Sequence, residues 1–277
     1  MGESLGGALV STGKKNRRKP MMQFWRGLSR SLILLMAVMA SPSYAEELKV
    51  AVAANFLGTL QKLAPEFEKS TGHKLTLSGG ASGQFYTQIT QGAPFDIFLS
   101  ADTERPKKLE DEGLAVPGSR FTYAVGKLVL WSPKAVVVDG SGEVLKKGNY
   151  QFLSIANPKA APYGAAAQQV LEKLGLWDKL NTDKRIVTGE SIAQTLQFVS
   201  SGSVEIGFVA LAQVIGDGGA VAGSSWSPPQ DMYAPITQDA VILKRTEHAA
   251  AAAQFMKWLR TDAGALAAIK AAGYTIQ

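Results

Sequence analysis

The chain has no cysteine among its 277 residues. That absence excludes disulfides, thiolate metal sites and a lipid anchor on an N-terminal cysteine. Histidine is nearly as scarce. His73 sits in the turn-like "STGHKL" and His248 at the helix start "TEHAAA". Two isolated histidines do not give the paired spacing of a histidine-based zinc site. They also leave a Ser–His–acid triad only those two candidates for its base. A membrane-length apolar run is missing too, since "LILLMAVMA" (Leu32–Ala40) is too short to cross a bilayer. Outside the N-terminus there is no charge excess. Lys14, Lys15, Arg17, Arg18, Lys19, Arg26 and Arg30 against Glu3 account for the whole net charge of +6, and the remaining 22 basic and 22 acidic residues balance. The basicity belongs to the leader, so it gives no support for nucleic-acid binding by the folded part.

What is there begins with an export signal. Arg26 and Arg30 precede the apolar run, and "SPSYA" follows with small Ser43 and Ala45 at the positions a signal peptidase reads. Residues 1–45 are expected to be a signal peptide and leader, cleaved near Ala45, giving a soluble periplasmic protein that begins near Glu46. Met1, Met21 and Met22 all remain possible starts. A twin-arginine reading of Arg17-Arg18 is opposed by the pair's distance from the apolar run and by Pro20.

The mature part alternates apolar strand-like runs with helix-period runs. "LKVAVAA" precedes a helix with Leu57, Leu60, Leu63 and Phe67 on one face, which Pro65 should kink or restart. "KLTLS", the helix "GQFYTQITQG", "FDIFLS" and "DTERPKKLEDEG" follow, the last capped by Asp102 and stopped by Gly113. Two longer extended segments, "RFTYAVGKLVLWSP" and "APITQDAVILK", interrupt the rhythm, and two helices close the chain. The fold class expected is α/β. Two lobes, each a mostly parallel sheet flanked by helices, are joined by two extended hinge crossings with a cleft between them. Residues 46–124 and 236–277 form the first lobe and 125–235 the second. "GDGGAVAGSS" (Gly216–Ser225) reads as a surface loop. A single α/β sheet with long loops is the competing arrangement.

Catalytic signatures are thin. "GASGQ" resembles a nucleophile elbow but ends in Gln84 instead of glycine, and "GDGGAV" ends in Val221 where a dinucleotide fingerprint needs glycine. Asp96 and Asp102 read better as a turn residue and a helix cap than as an acid–base pair. An exported hydrolase using Ser82 remains an alternative without a recognisable base.

Four strand-to-helix junctions share a character: "AANFLG", "GGASGQ", "APYGAA" and "GESIAQ". Helix starts offer free N–H groups and partial positive charge, and bind oxyanions without cationic side chains. Asn55 adds an amide; Ser82 and Tyr163 add hydroxyls; glycines 79, 80, 83 and 164 let backbone come close. None of the four windows contains Lys or Arg. Two junctions from each lobe would surround a small tetrahedral anion with neutral donors. Singly, Asn55 and Ser82 read as ordinary N-caps.

Across the mature chain the sequence resembles the periplasmic molybdate-binding proteins of ABC transporters. The segments that carry the resemblance are "LKVAVAANFLGTL", "GASGQFYTQITQGAPFDIFLSAD", "RFTYAVGKLVLWSP", "IANPKAAPYGAAAQQVLEKLGLWDKL" and "IGFVALAQV". The resemblance implies a non-enzymatic solute-binding protein of the two-lobed periplasmic-binding-protein fold. It implies that molybdate or tungstate is held by neutral hydrogen bonds, with sulfate or another tetrahedral oxyanion as the alternative ligand. Molybdenum would enter only as the bound oxyanion, without protein ligands, and no cofactor is expected. The implied partner is an ABC permease in the inner membrane, and the protein would be a monomer. Asn55 and Ser82 match polar site residues of the family, and position 163 and Ile192 match residues that donate main-chain N–H groups. Ala210 stands where many members carry a tyrosine, so the hydroxyl of Tyr163 is expected to supply the missing contact to the ion.

Overall fold

The computed structural model describes residues 7–9, 11–12, 45–216 and 218–276. The apolar run at 32–40 and the arginines before it lie outside the described residues. β1 (Glu47–Ala53) has Leu48, Val50, Ala51 and Val52 all buried, as a strand covered on both faces requires. It leads directly into α1 (Ala54–Thr71), whose Phe56, Leu60, Leu63 and Phe67 pack into the core of the first lobe. Leu57 is only half buried, and Phe56 takes the core position expected of it. α1 runs through Pro65 as one helix. Pro65 and Gln61, whose carbonyl loses its helical partner, both face solvent, where water can take the bond.

β2 (Lys74–Gly80), α2 (Ser82–Thr90), β3 (Ile97–Leu99) and α3 (Glu104–Asp111) follow. The N-cap of α3 is Thr103 and not Asp102 as expected; Asp102 lies one residue earlier, and its carboxylate reaches over to accept the Arg105 N–H at 2.9 Å. The first extended segment divides between the lobes. β4 (Phe121–Gly126) joins one sheet and β5 (Leu128–Ser132) the other, with Lys127 between them. The second lobe continues through α4 (Glu143–Lys147), β6 (Leu153–Ala156), α5 (Pro162–Lys173), α6 (Trp177–Thr182) and β7 (Ile186–Gly189). It ends with α7 (Ile192–Ser200), β8 (Ile206–Ala210), α8 (Leu211–Val214) and β9 (Ser224–Trp226). β10 (Ile236–Ile242) returns to the first sheet, and α9 (Ala249–Thr261) and α10 (Ala263–Ala271) close the chain.

Two separate five-stranded sheets result, ordered β2-β1-β3-β10-β4 and β7-β6-β8-β5-β9. Each joins a parallel trio to an antiparallel pair, so the sheets are more mixed than expected. The reason is the crossings: β5 and β10 each run antiparallel to the trio they join. β9 occupies the end of the expected loop at 216–225. The buried cluster of the second lobe includes Ala53, Ala54, Ala81 and Ala101 of the first, so the helix starts of one lobe pack on the core of the other. Among the described residues no helix is long and apolar enough to cross a membrane.

Candidate functional site

In each lobe the carboxyl ends of the parallel strands meet the amino ends of the following helices at one edge. The two edges face each other across a cavity of about 10 Å³. Ala53, Ala54, Asn55, Gly80, Ala81, Ser82 and Ala101 line it from the first lobe, and Ala161, Pro162, Tyr163 and Ile192 from the second. The four residues singled out from the sequence, Asn55, Ser82, Tyr163 and Ile192, are therefore brought together, and none is more than 3% exposed. No charged side chain is in the lining.

The helix starts differ from the expected caps. Asn55 is the second residue of α1 and Ser82 the first of α2, while the cap positions of α1, α2 and α5 are Ala53, Ala81 and Ala161. Alanine cannot accept from the first N–H groups, and a helix capped by it is less stable by about 1 kcal/mol than one capped by Ser, Asn or Asp. Three such ends line one cavity. Among the described residues no protein acceptor is bonded to the N–H of Asn55, Ser82, Tyr163 or Ile192. Only α7 has a side-chain cap of the four, Ser191 Oγ accepting from Gln194 N at 3.3 Å. At α1, α2 and α5 a methyl group stands where a capping oxygen would compete for these donors.

The side chains are held from behind. Ser82 Oγ accepts the Ala101 N–H at 2.9 Å, which fixes the hydroxyl and leaves its hydrogen free to donate. Asn55 Nδ2 donates to Gln238 Oε1 at 2.8 Å and to the Tyr274 hydroxyl at 3.1 Å. Tyr274 donates in turn to the Asn55 carbonyl at 2.8 Å. The Tyr123 hydroxyl lies 3.0 Å from both Gln238 Oε1 and the Ser100 carbonyl. The Phe56 ring packs edge-on against Tyr123 and Tyr274.

Tyr163 reaches from the second lobe to side chains of the first. Its hydroxyl accepts from Gln238 Nε2 at 3.3 Å and lies 3.5 Å from Asn55 Nδ2, whose two hydrogens serve Gln238 and Tyr274, a network that bridges the lobes. The ring crosses from the second lobe into a slot that exists because residue 126 is glycine: a Cβ there would overlap the hydroxyl oxygen. Its main-chain N–H, at the second position of α5, has no acceptor among the described residues. Burial pushes the Tyr163 hydroxyl well above the usual tyrosine range, with Tyr274 and Tyr123 adding to the shift, so it stays neutral. Burial acts on Tyr123 and Tyr274 in the same direction.

Gln238, Tyr123 and Tyr274 were not singled out in the sequence. Gln238 had a signal: an amide beside an aspartate in a strand that continues into the apolar "AVI" is fully buried and needs partners. Ala210 is buried, bonded through its N–H to Gln213 Oε1, and does not line the cavity.

The remaining candidates are structural. His73 Nδ1 accepts from Glu46 N at 3.1 Å and its Nε2 lies 3.2 Å from Gln254 Oε1, while His248 Nδ1 pairs with the Glu46 carboxylate at 2.6 Å. Neither is bonded to Ser82. Asp96 accepts from Lys49 N at 2.7 Å and from the Thr246 hydroxyl at 2.6 Å, bracing β3 against its neighbours. Among the described residues no group of three or more His, Asp or Glu is placed to hold a metal ion.

A family model described as bacterial extracellular solute-binding protein matches residues 48–275. The chain is 53% identical over 251 residues to the molybdate-binding protein ModA of Azotobacter vinelandii, covering 90% of this chain and 98% of that one. It is 50% identical over 255 residues to the molybdate-binding protein ModA of Rhodobacter capsulatus, covering 92% and 98%. The solved structure of the Azotobacter vinelandii periplasmic molybdate-binding protein matches with a TM-score of 0.82 at 51% identity, covering 83% of this chain and 99% of that chain.

Proposed function

The chain belongs to the bacterial extracellular solute-binding proteins, and from that membership we propose that it captures molybdate, and tungstate, between its lobes and delivers the ion to an ABC permease in the inner membrane. The observation that carries the proposal is the convergence of three alanine-capped helix starts on one cavity without charged lining. The names of the relatives at 50% and 53% identity support the choice of oxyanion.

The main-chain N–H groups of Asn55, Ser82, Tyr163 and Ile192 and the Ser82 hydroxyl donate to the oxyanion oxygens. Helix dipoles supply positive potential, so no buried cation has to be desolvated. A shell of donors suits a fully deprotonated dianion, because a protonated oxyanion would present hydrogen to hydrogen. Molybdenum enters as the centre of the oxyanion, without protein ligands or a further cofactor. A cavity of about 10 Å³ has room for about one water. The larger ion therefore enters with the lobes parted and is enclosed as they close. Sulfate, a smaller tetrahedral dianion, is discriminated by the distance between facing donors. The protein acts as a monomer without nucleic acid, exported by a signal peptide cleaved near Ala45.

Thermal melts of the mature chain test the reading. An ion at a hundred times its Kd adds about 2.7 kcal/mol to folding stability. Molybdate and tungstate are expected to raise Tm and equimolar sulfate to leave it unchanged. A rise with sulfate alone would reassign the ligand.

A further inference from the structure

The turn before α5 is built to present two carbonyls. Asn157 Oδ1 accepts from Lys159 N at 3.1 Å, and the Asn157 carbonyl accepts from Ala160 N at 3.1 Å and Ala161 N at 2.8 Å. The carbonyls of Lys159 and Ala160 are left for the opposite lobe, and each meets a donor there. Gly83 N–H donates to Ala160 O at 2.9 Å, and Arg105 Nη2 donates to Lys159 O at 3.0 Å. Arg105 is itself held. Its Nη1 pairs with the Asp102 carboxylate, which also accepts the Arg105 N–H, and the two side chains are 20% and 18% exposed. Gly83 has no room for a side chain: a Cβ would stand 3.0 Å from the Ala160 backbone and 3.2 Å from Arg105 Nη2. None of these four residues lines the cavity.

We propose that Gly83 and Arg105 form a clasp across the cleft mouth, and that Arg105 is a positioning residue that sets the rate of ligand release. The inference rests on the binding function proposed above. The planar guanidinium fork serves Asp102 with one nitrogen and the Lys159 carbonyl with another, a geometry a lysine ammonium does not reproduce. Both bonds cross between lobes, so both break when the lobes part. They stabilise the closed form relative to the open one without touching the ion. Arg105 also lines a surface groove with Lys159, Lys108 and Glu104, the last two paired at 2.7 Å. A charge that only attracted anions would act on association and weaken with salt; a clasp acts on dissociation.

Stopped-flow binding of molybdate to the mature wild type, Arg105→Ala and Arg105→Lys separates the two roles. Arg105→Ala is expected to raise koff about tenfold, the loss of one charge-assisted hydrogen bond. Arg105→Lys keeps the charge and is expected to raise koff several-fold, with kon and its salt dependence unchanged. An unchanged koff in both variants, with kon reduced in Arg105→Ala, overturns the clasp in favour of steering. Amide exchange at Gly83 reads the clasp without any ligand. It is expected to be slow in the wild type and faster in both variants. Equal exchange in all three overturns the clasp even if molybdate binds. Absence of molybdate binding by the wild type, with Gly83 still protected, overturns the ligand assignment and leaves the clasp standing.

Discussion

Gly126 ends β4 immediately before the chain crosses to the second lobe, and the Tyr163 hydroxyl rests against it from the other side. Substituting alanine there would place a Cβ over the hydroxyl oxygen, 2.9 Å from the ring Cζ and 2.6 Å from Gln238 Nε2. The ring is 1% exposed and has nowhere to retreat while the lobes are closed. Either the hydroxyl leaves Gln238 and Asn55 or the lobes stay apart. Overpacking of a dense interior costs about 1–3 kcal/mol, and the displaced hydrogen bond from Gln238 Nε2 about 1 more. Gly126→Ala is therefore expected to weaken oxyanion binding by about 2–4 kcal/mol, roughly thirtyfold or more in Kd. Tyr163→Phe alone removes the acceptor of Gln238 Nε2 and should weaken binding by about 1–3 kcal/mol. In the double variant the missing oxygen leaves room for the methyl group. Its deficit should fall short of the sum of the singles by about 1–2 kcal/mol. Titration calorimetry and thermal melts on the three variants measure the cycle. Wild-type affinity in Gly126→Ala, or strict additivity in the double variant, would refute the slot and the role given to the tyrosine hydroxyl.

Three further outcomes are expected. Ser82→Ala removes a donor to the ion and the acceptor of Ala101 N–H, and should weaken binding by about 1–3 kcal/mol with the fold intact by circular dichroism. Ala161→Asp places a carboxylate at the cap of α5. It should raise Tm in the absence of ligand, by about 1 kcal/mol of stability, and abolish oxyanion binding in calorimetry. Burial raises the pKa of Tyr123, Tyr163 and Tyr274 above the unfolded value. The folded chain thus keeps protons that the unfolded chain loses. Their contribution to stability is complete below about pH 10 and declines above it, by about 1.4 kcal/mol per pH unit for each tyrosine until its folded pKa is reached. Melts between about pH 9 and 11.5 check the sign, and a constant Tm across that window would contradict it.

The lobes were legible because the strand–helix rhythm is written in apolar periodicity, and the crossings because two extended segments break it. Short elements such as α4, α6 and β9 carry too few residues to show a period. Pro65 misled because its local cost is small where the freed carbonyl faces water. The convergence of the four junction residues was legible from residue type and position, but the feature that frees their N–H groups was hidden. It lies in the alanines before them, which look like filler in a sequence and become informative once three of them are seen to cap helices at one cavity. The direction of the Tyr163 hydroxyl was not legible, because it depends on a slot at Gly126 and an amide at Gln238, one on each extended crossing. The partners of the clasp, Arg105 with the Lys159 carbonyl, lie outside the four junction windows and carry no motif.

The most direct measurement is a calorimetric titration of residues 46–277 with molybdate, followed by displacement with tungstate and sulfate. One molybdate per chain, exchange with tungstate and no displacement by excess sulfate is the expected result. Binding of sulfate in preference to molybdate, or no heat with any of the three ions, would contradict the assignment of the interlobe cavity.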